Sequence, residues 1–268
     1  MTTSKIWKIG IAGTGMIADF HARAIGSLPN AKLVGFSNIR KAGAEKMARK
    51  YNVRSWETIS EMVQSDEVEI VMIATPSGAH MEPVVEAARH GKHVLCEKPM
   101  DINLERIDNM IEAHRKAGTW LGGIFNFRYN PTTEIIKKAI VDGRLGVITY
   151  ASVHVPWWRS DAYYEGWHGT WDLDGGGALM NQSIHMIDLL QYMMGPVLSI
   201  GGMTSQQGHP QIETEDTGVA ILQFENKALG VIYGTTASWP GQYRRMEITG
   251  THGTIVVVEN SLKIWHFA

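Results

Sequence analysis

The chain has 268 residues, enough to bury a substantial core and to form two domains, and its 25 Lys and Arg against 27 Asp and Glu give no electrostatic reason to expect nucleic acid or an anionic membrane as partner. Its single cysteine, Cys96, excludes an internal disulfide and a cysteine zinc cluster. No apolar stretch approaches the roughly 20 residues of a membrane helix, and Met1-Thr2-Thr3-Ser4 leads into the first strand pattern without a signal-peptide core, so a cytoplasmic location is expected.

Trp7 to Ala12 reads as a buried strand, and Gly13-Thr14-Gly15-Met16-Ile17-Ala18 carries it into a helix from Ala18 to Ser27. This is G-x-G-x-x-A between strand and helix: Gly13 permits the tight turn, Gly15 lets a pyrophosphate approach the backbone, and Ala18 allows close helix packing. The phosphates would rest on the helix N-terminus. A second strand, Leu33 to Phe36, precedes a helix over Lys41 to Tyr51. Folds that prefer NAD usually place an acid at the end of this second strand, where it bonds the ribose hydroxyls and repels a 2′-phosphate. Here the segment reads Ser37-Asn38-Ile39-Arg40-Lys41. Asn38 suits a ribose, while Ser37, Arg40 and Lys41 suit a phosphate unless the two cations simply open a solvated helix, which leaves NADP slightly favoured over NAD.

Further along come a third strand, Glu69 to Ala74, a helix from Met81 to His90, a strand ending at Cys96, a helix from Leu104 to Ala117 and a strand from Trp120 to Phe125. Such alternation predicts α/β structure with a parallel sheet covered by helices on both faces, in a first domain over 1–125. In 126–268 the pattern changes. A helix over Thr132 to Val141 and a long strand, Val147 to Val155, lead into an aromatic loop reaching Leu173. A helix over Ala178 to Met194 is followed by strands at Leu198 to Met203, Gly218 to Phe224, Leu229 to Thr235, Arg244 to Thr249 and Thr254 to Val258, which predicts an α+β domain with a large, mainly antiparallel sheet. The eleven histidines are scattered without H-E-x-x-H or a carboxylate cluster at ligand spacing, so no metal is expected.

Five motifs in order carry a family resemblance: the segment from Gly10 to Ala18, Thr75-Pro76-Ser77-Gly78-Ala79-His80, the run from Gly91 to Glu97-Lys98-Pro99, Phe127-Arg128-Tyr129-Asn130-Pro131, and Gly175-Gly176-Gly177 followed by Asn181 through Asp188. The chain resembles the glucose-fructose oxidoreductase/inositol dehydrogenase (Gfo/Idh/MocA) family of NAD(P)-dependent sugar oxidoreductases over nearly its whole length. The resemblance implies a Rossmann-type domain, then a domain whose open sheet often forms the interface of a homo-oligomer, and a substrate that is a sugar, cyclitol or nucleotide sugar. It also implies that Ala74, Thr75, Pro76 and His80 line the cofactor groove with Glu97 and Lys98, and that Asn126 approaches the nicotinamide. Members commonly continue past the position of Ala268, so the chain is either a short form or lacks a terminal part.

Chemistry is expected to centre on Lys98 and His185. Oxidising a secondary alcohol needs a group to take the hydroxyl proton, for which imidazole is suited near neutral pH, and His185 is the candidate base. Lys98 would hydrogen-bond the same oxygen and stabilise alkoxide character. Many members have an aspartate four residues before this histidine, where the chain has Asn181. Asparagine can accept a ring N–H bond but supplies no charge. Asp188 either replaces that charge or forms a cap or salt bridge.

The substrate pocket is expected in the segment holding Trp158, Arg159, Tyr163, Tyr164, Trp167 and His168, with Arg128 and Tyr129 as secondary candidates. Four of the nine tryptophans fall between Trp157 and Trp171. Aromatic faces stack on sugar rings and Arg159 can bind hydroxyl or carboxylate groups; the same aromatics would equally pack the loop onto the sheet. Cys96 is expected to be a packed strand residue. A non-catalytic dinucleotide-binding protein with an assembly or redox-sensing role is the alternative to the enzyme.

Overall fold

The computed structural model describes residues 5–268. The chain divides into two compact units, the first ending at Ile124 and the second running from Phe125 to Ala268.

The first unit runs β1 (Trp7–Ala12), α1 (Met16–Gly26), β2 (Ala31–Ser37), α2 (Lys41–Tyr51), β3 (Arg54–Trp56), α3 (Ile59–Gln64), β4 (Ile70–Ile73), α4 (Met81–Arg89), β5 (His93–Cys96), α5 (Leu104–Ala117) and β6 (Leu121–Gly123). The strands form one parallel sheet in the order β3-β2-β1-β4-β5-β6, the doubly wound arrangement that binds dinucleotides where strand order reverses. Because helices cover both faces, the inner strands are apolar without alternation: Ile11, Val71, Ile73 and Val94 are all buried. Local chemistry sets the boundaries. The Asn103 side chain caps α5 by accepting from the Arg106 N–H at 3.0 Å, and Gly118 ends it in the left-handed conformation. The short elements β3 and α3 lie between the expected second helix and third strand; three and six residues carry too little periodicity to be read.

The second unit contains α6 (Pro131–Val141), β7 (Ile148–Pro156), α7 (Ile184–Met194), β8 (Val197–Ser205), β9 (Thr217–Phe224), β10 (Leu229–Thr235), β11 (Arg245–Gly250), β12 (Gly253–Val258) and β13 (Ser261–Phe267). Its seven-stranded sheet has the order β13-β12-β11-β7-β10-β9-β8 and is antiparallel except for the β7–β10 pair. Helices α6 and α7 bury Ile136, Met186, Leu190 and Met193 against Val153, Leu222, Phe224 and Ile248. The face of β8, β9 and β10 opposite the helices is open, with Met203, Val219, Ile221 and Leu229 exposed on it.

Two expectations change in this unit. Strand β13 extends the sheet beyond the last expected strand. The helix expected from Ala178 is a π-helical turn over Ala178–Gln182, and α7 begins only at Ile184. The cause is the close approach of Glu215. Its carboxylate accepts the Gly177 and Leu179 N–H groups at 2.9 Å each, and its carbonyl accepts that of Ala178 at 2.9 Å. A Cβ at position 177 would lie 1.8 Å from that carbonyl oxygen, so only glycine fits. No described helix is long and apolar enough to cross a membrane.

Phe224 is fully buried at the centre of the second core. Phe224→Ala is expected to cost about 3–5 kcal/mol of stability in urea denaturation followed by far-UV circular dichroism.

Candidate active site

In the first unit the glycine turn has the shape that a dinucleotide needs. Gly13 has φ +107°, and a Cβ there would meet the Ala74 carbonyl oxygen at 2.3 Å. Gly15 is exposed and open, with nothing within 4 Å of a Cβ placed on it, so a pyrophosphate can approach the start of α1. Met16 and Ile17 are exposed beside it, and Ala18 is fully buried. Thr14 is held from the end of β2, where the Asn38 amide donates to its hydroxyl at 2.6 Å. Ser37 is fully buried, Arg40 is exposed, and the Lys41 ammonium is hydrogen-bonded to Glu57.

The segment after β4 braces the segment after β5. His80 is buried, with Nε2 2.9 Å from the Thr75 carbonyl and Nδ1 3.0 and 3.1 Å from the carbonyls of Pro99 and Met100. Its ring thus ties Thr75-Pro76 to the far side of Lys98. Ala74 is buried, and Thr75 Oγ1 donates to the Ala79 carbonyl at 3.0 Å. Glu97 grips Lys98 from the other side. One carboxylate oxygen lies 2.7 Å from His21 Nε2 on α1 and the other accepts the Lys98 N–H at 3.0 Å. Burial opposes the charge on Glu97, but the His21 and Lys98 hydrogen bonds outweigh it and hold the carboxyl below its ordinary value. Neither His21 nor this bracing role of His80 was legible from sequence spacing. Burial pushes the Cys96 thiol up, so it stays protonated, as a packed strand residue should.

In the second unit His185 lies in the first turn of α7, stacked on Phe127 at 4.6 Å with Phe125 edge-on at 6.4 Å. These rings fix the imidazole plane. Exposed Asn126 sits between them in sequence. Asp188 is committed elsewhere: Arg128 Nε donates to it at 2.8 Å in a bidentate pair, so Asp188 takes the salt-bridge role and Arg128 is spent on α7.

The aromatic loop divides between packing and a polar network. Trp157 packs on the core, and Tyr164 donates from its hydroxyl to Thr236 Oγ1 at 2.7 Å with its ring 4.9 Å from His209. Trp158 is exposed and meets Trp239 edge-on at 4.7 Å. Around Gln182 the groups interlock. Arg159 donates to Gln182 Oε1 through Nε at 3.2 Å and Nη2 at 2.7 Å, and Gln182 Nε2 donates to the Tyr163 hydroxyl at 2.6 Å and to Asn181 Oδ1 at 3.1 Å. Asn181 Nδ2 donates to Asp174, a buried carboxylate that also accepts the Gly169 N–H at 2.9 Å. His168 stacks on Tyr163 at 4.3 Å and lies 3.9 Å from the Trp167 ring, with Nδ1 3.6 Å from Asp174 Oδ2. Burial foremost, with the Asp174 charge adding to it, raises the Tyr163 phenol, which stays neutral. The Asn181-Gln182 pair stands out in the sequence as resembling branches of the family that act on nucleotide or modified sugars, but the contacts of Gln182 with Arg159 and Tyr163 leave no local trace, and Asp174 is hidden in a glycine-rich loop.

Residues 7–123 match the family model described as an oxidoreductase family with an NAD-binding Rossmann fold, and residues 133–256 match that of the GFO/IDH/MocA C-terminal domain. The chain belongs to the Gfo/Idh/MocA family. Among relatives of this family, the myo-inositol 2-dehydrogenase of Thermotoga maritima is 29% identical over 262 residues, 92% of this chain and 74% of its own length. The WlbA dehydrogenase of Bordetella pertussis, solved in complex with NADH and UDP-GlcNAcA, superimposes with a TM-score of 0.95 at 34% identity over 98% of this chain and 82% of that one. The WlbA dehydrogenase of Chromobacterium violaceum, in complex with the same two molecules, gives 0.94 at 32% identity over 100% of this chain and 79% of that one.

Folding lowers the Glu97 pKa, so the stability that this carboxylate contributes is complete above its ordinary value of 4.5 and is lost as pH falls through the folded value. Glu97→Gln should therefore destabilise the protein at pH 7, by about 1–3 kcal/mol, and the gap from the parent should close in denaturation curves taken at successively lower pH below 4.5.

Proposed function

We propose that this Gfo/Idh/MocA oxidoreductase oxidises a ring hydroxyl of a nucleotide sugar that carries a carboxylate. The observation that carries this reading is Arg159. It is half-buried between the rings of Trp157 and Tyr163, at 5.2 and 5.3 Å, and its acceptors among the described residues are neutral: the Gln182 amide oxygen and, at 3.4 Å, the Trp158 carbonyl. No carboxylate of the described residues forms a salt bridge with it. Guanidinium has five N–H donors, and an oriented, partly desolvated one of this kind fits a substrate carboxylate. The likeness to two dehydrogenases bound to UDP-GlcNAcA points the same way.

The nicotinamide cofactor, when bound, supplies the hydride acceptor. Gly13, Gly15 and Thr14 would cradle its phosphates, with Ala74, Thr75 and Pro76 beside the groove. His185, its ring plane set by Phe127, is suited to take a hydroxyl proton, and Lys98, braced through Glu97 and His80, is suited to stabilise a developing alkoxide. Asn181 positions the base from the preceding turn. Tyr163, Trp167 and His168 offer faces and polar edges to the sugar.

The surroundings of β2 favour NAD, against the lean toward NADP suggested by Arg40 and Lys41. Lys41 is engaged by Glu57 and Ser37 is buried, so the phosphate-binding set reduces to exposed Arg40. Asn38 spends its N–H on Thr14 and keeps its oxygen to accept from a ribose hydroxyl. The exposed apolar residues Met203, Val219, Ile221 and Leu229 support self-association through the open sheet face.

Nicotinamide absorbance should rise when the protein is given NAD and UDP-GlcNAcA. Lys98→Ala should lower kcat about 100-fold or more, and Arg159→Gln should raise KM for UDP-GlcNAcA about tenfold while leaving that for neutral UDP-GlcNAc unchanged. Equal effects of Arg159→Gln on both sugars would remove the carboxylate assignment. In fluorescence titrations NADH should bind more tightly than NADPH, and tighter NADPH binding abolished by Arg40→Ala would reverse the cofactor choice.

A further inference from the structure

The Asp174 carboxylate is 2% exposed and sits in the loop that leads into the glycine run before the π-helical turn. A carboxylate so deeply buried needs donors on its oxygens, and the structure provides three approaches. The Gly169 N–H donates at 2.9 Å, the Asn181 side-chain N–H also donates to it, and His168 Nδ1 lies 3.6 Å away. A carboxylate can only accept, so the contact dictates which end of the Asn181 amide faces it. Nδ2 turns to Asp174 and Oδ1 turns away, toward Gln182 Nε2 at 3.1 Å. The same bond polarises the amide: negative charge on the acceptor strengthens the donor's dipole and raises electron density on Oδ1.

We propose that Asp174 is a positioning residue that acts through Asn181, fixing its amide and lending it the negative charge that a neutral residue lacks. The pair Asp174–Asn181 then performs as a unit what a single carboxylate at 181 would perform directly: it presents an electron-rich oxygen at the turn preceding His185 and favours the protonated form of the base once the substrate proton has arrived. This rests on the proposed role of His185 as the proton acceptor. Among the described residues, His168 faces the pair, the Asp174 charge reaches Tyr163 and Tyr164, and Arg159 is linked to the pair through Gln182.

The test exchanges carboxylate and amide across one hydrogen bond. Asp174→Asn leaves two amides, and the double variant D174N/N181D restores one carboxylate and one amide with the chemistry transposed. D174N should lower kcat about tenfold or more with KM within about threefold, and should move the acidic limb of the pH profile to lower pH, because a neighbouring negative charge no longer supports the imidazolium. The transposed variant should return kcat to within about threefold of the parent and move the limb back. Histidine-ring NMR titration of His185, assigned with His185→Gln, reads the same shift without turnover. It separates this inference from the sugar-oxidation reading: absence of turnover on every sugar sinks that reading, while the NMR series still decides this one. D174N within twofold of the parent, or a transposed variant no faster and no closer in His185 titration than D174N, overturns the proposal. If D174N does not fold, the transposed variant alone decides: parent-like titration of His185 supports the unit, and a His185 midpoint clearly below that of the parent overturns it.

Discussion

The carbonyl oxygen of Ala74 occupies the space that any side chain at position 13 would need, only 2.3 Å from where its Cβ would stand. This close approach of the turn after β1 to the end of β4 organises the whole carboxyl edge of the first sheet. Backbone bonds continue the contact across the strand ends: Ala74 N–H to Ala12 O at 2.8 Å, Gly13 N–H to Ser37 O at 2.9 Å, Glu97 N–H to Ile73 O at 3.0 Å and Ile124 N–H to Cys96 O at 2.8 Å. The strand ends are therefore locked past the last regular ladder pairs. Lys98 follows directly from this edge, and His21, Glu97 and His80 add side-chain braces to a backbone already placed. In the role proposed for Lys98, an amine meeting a developing negative charge gains from such preorganisation, since no rearrangement is then needed during reaction.

The second unit obtains rigidity by another route. Its loops are stitched by buried acids that accept backbone N–H groups. Asp216 is fully buried and accepts from Gly208 at 2.6 Å, from His209 at 2.8 Å and from the Thr217 hydroxyl at 2.9 Å. His209 Nε2 in turn lies 2.8 Å from the Arg159 carbonyl. Asp174 and Glu215 serve the neighbouring segments in the same way. Three acids thus hold the backbone around Arg159, Asn181 and the start of α7, a region that has little regular secondary structure of its own. The aromatic loop can then offer Tyr163, His168 and Arg159 while Trp157 and Tyr164 anchor it.

Much of this was legible in the sequence. Strand-helix alternation and the succession of late strands carried both sheets, because hydrophobic period reports which faces are buried. The glycine turn was legible because its steric demand is local. Short elements such as β3 and α3 were missed for want of length, and the π-helical turn because Glu215, 33 or more residues away from the segment it distorts, leaves no local trace. The partners His21 and Asp174, and the contacts of Gln182, were not legible for a related reason. Each is an ordinary polar residue until the fold brings it to Glu97, Arg159 or Asn181. Asp188 shows the reverse case: its spacing from His185 made it attractive, but Arg128 claims it.

Position 181 gains a physical explanation from its neighbour. An aspartate there would face the Asp174 carboxylate at hydrogen-bond distance inside a buried pocket, and two like charges so placed cannot both remain ionised. One would have to hold a proton, which would return the pair to one charge and one donor. Asparagine reaches that state permanently: its N–H meets Asp174 and its oxygen remains an acceptor toward the turn. The amide thus suits a buried acid at 174, and under the proposed pairing the departure from the family pattern at 181 amounts to a relocation of charge to a carboxylate that the Gly169 N–H helps to solvate.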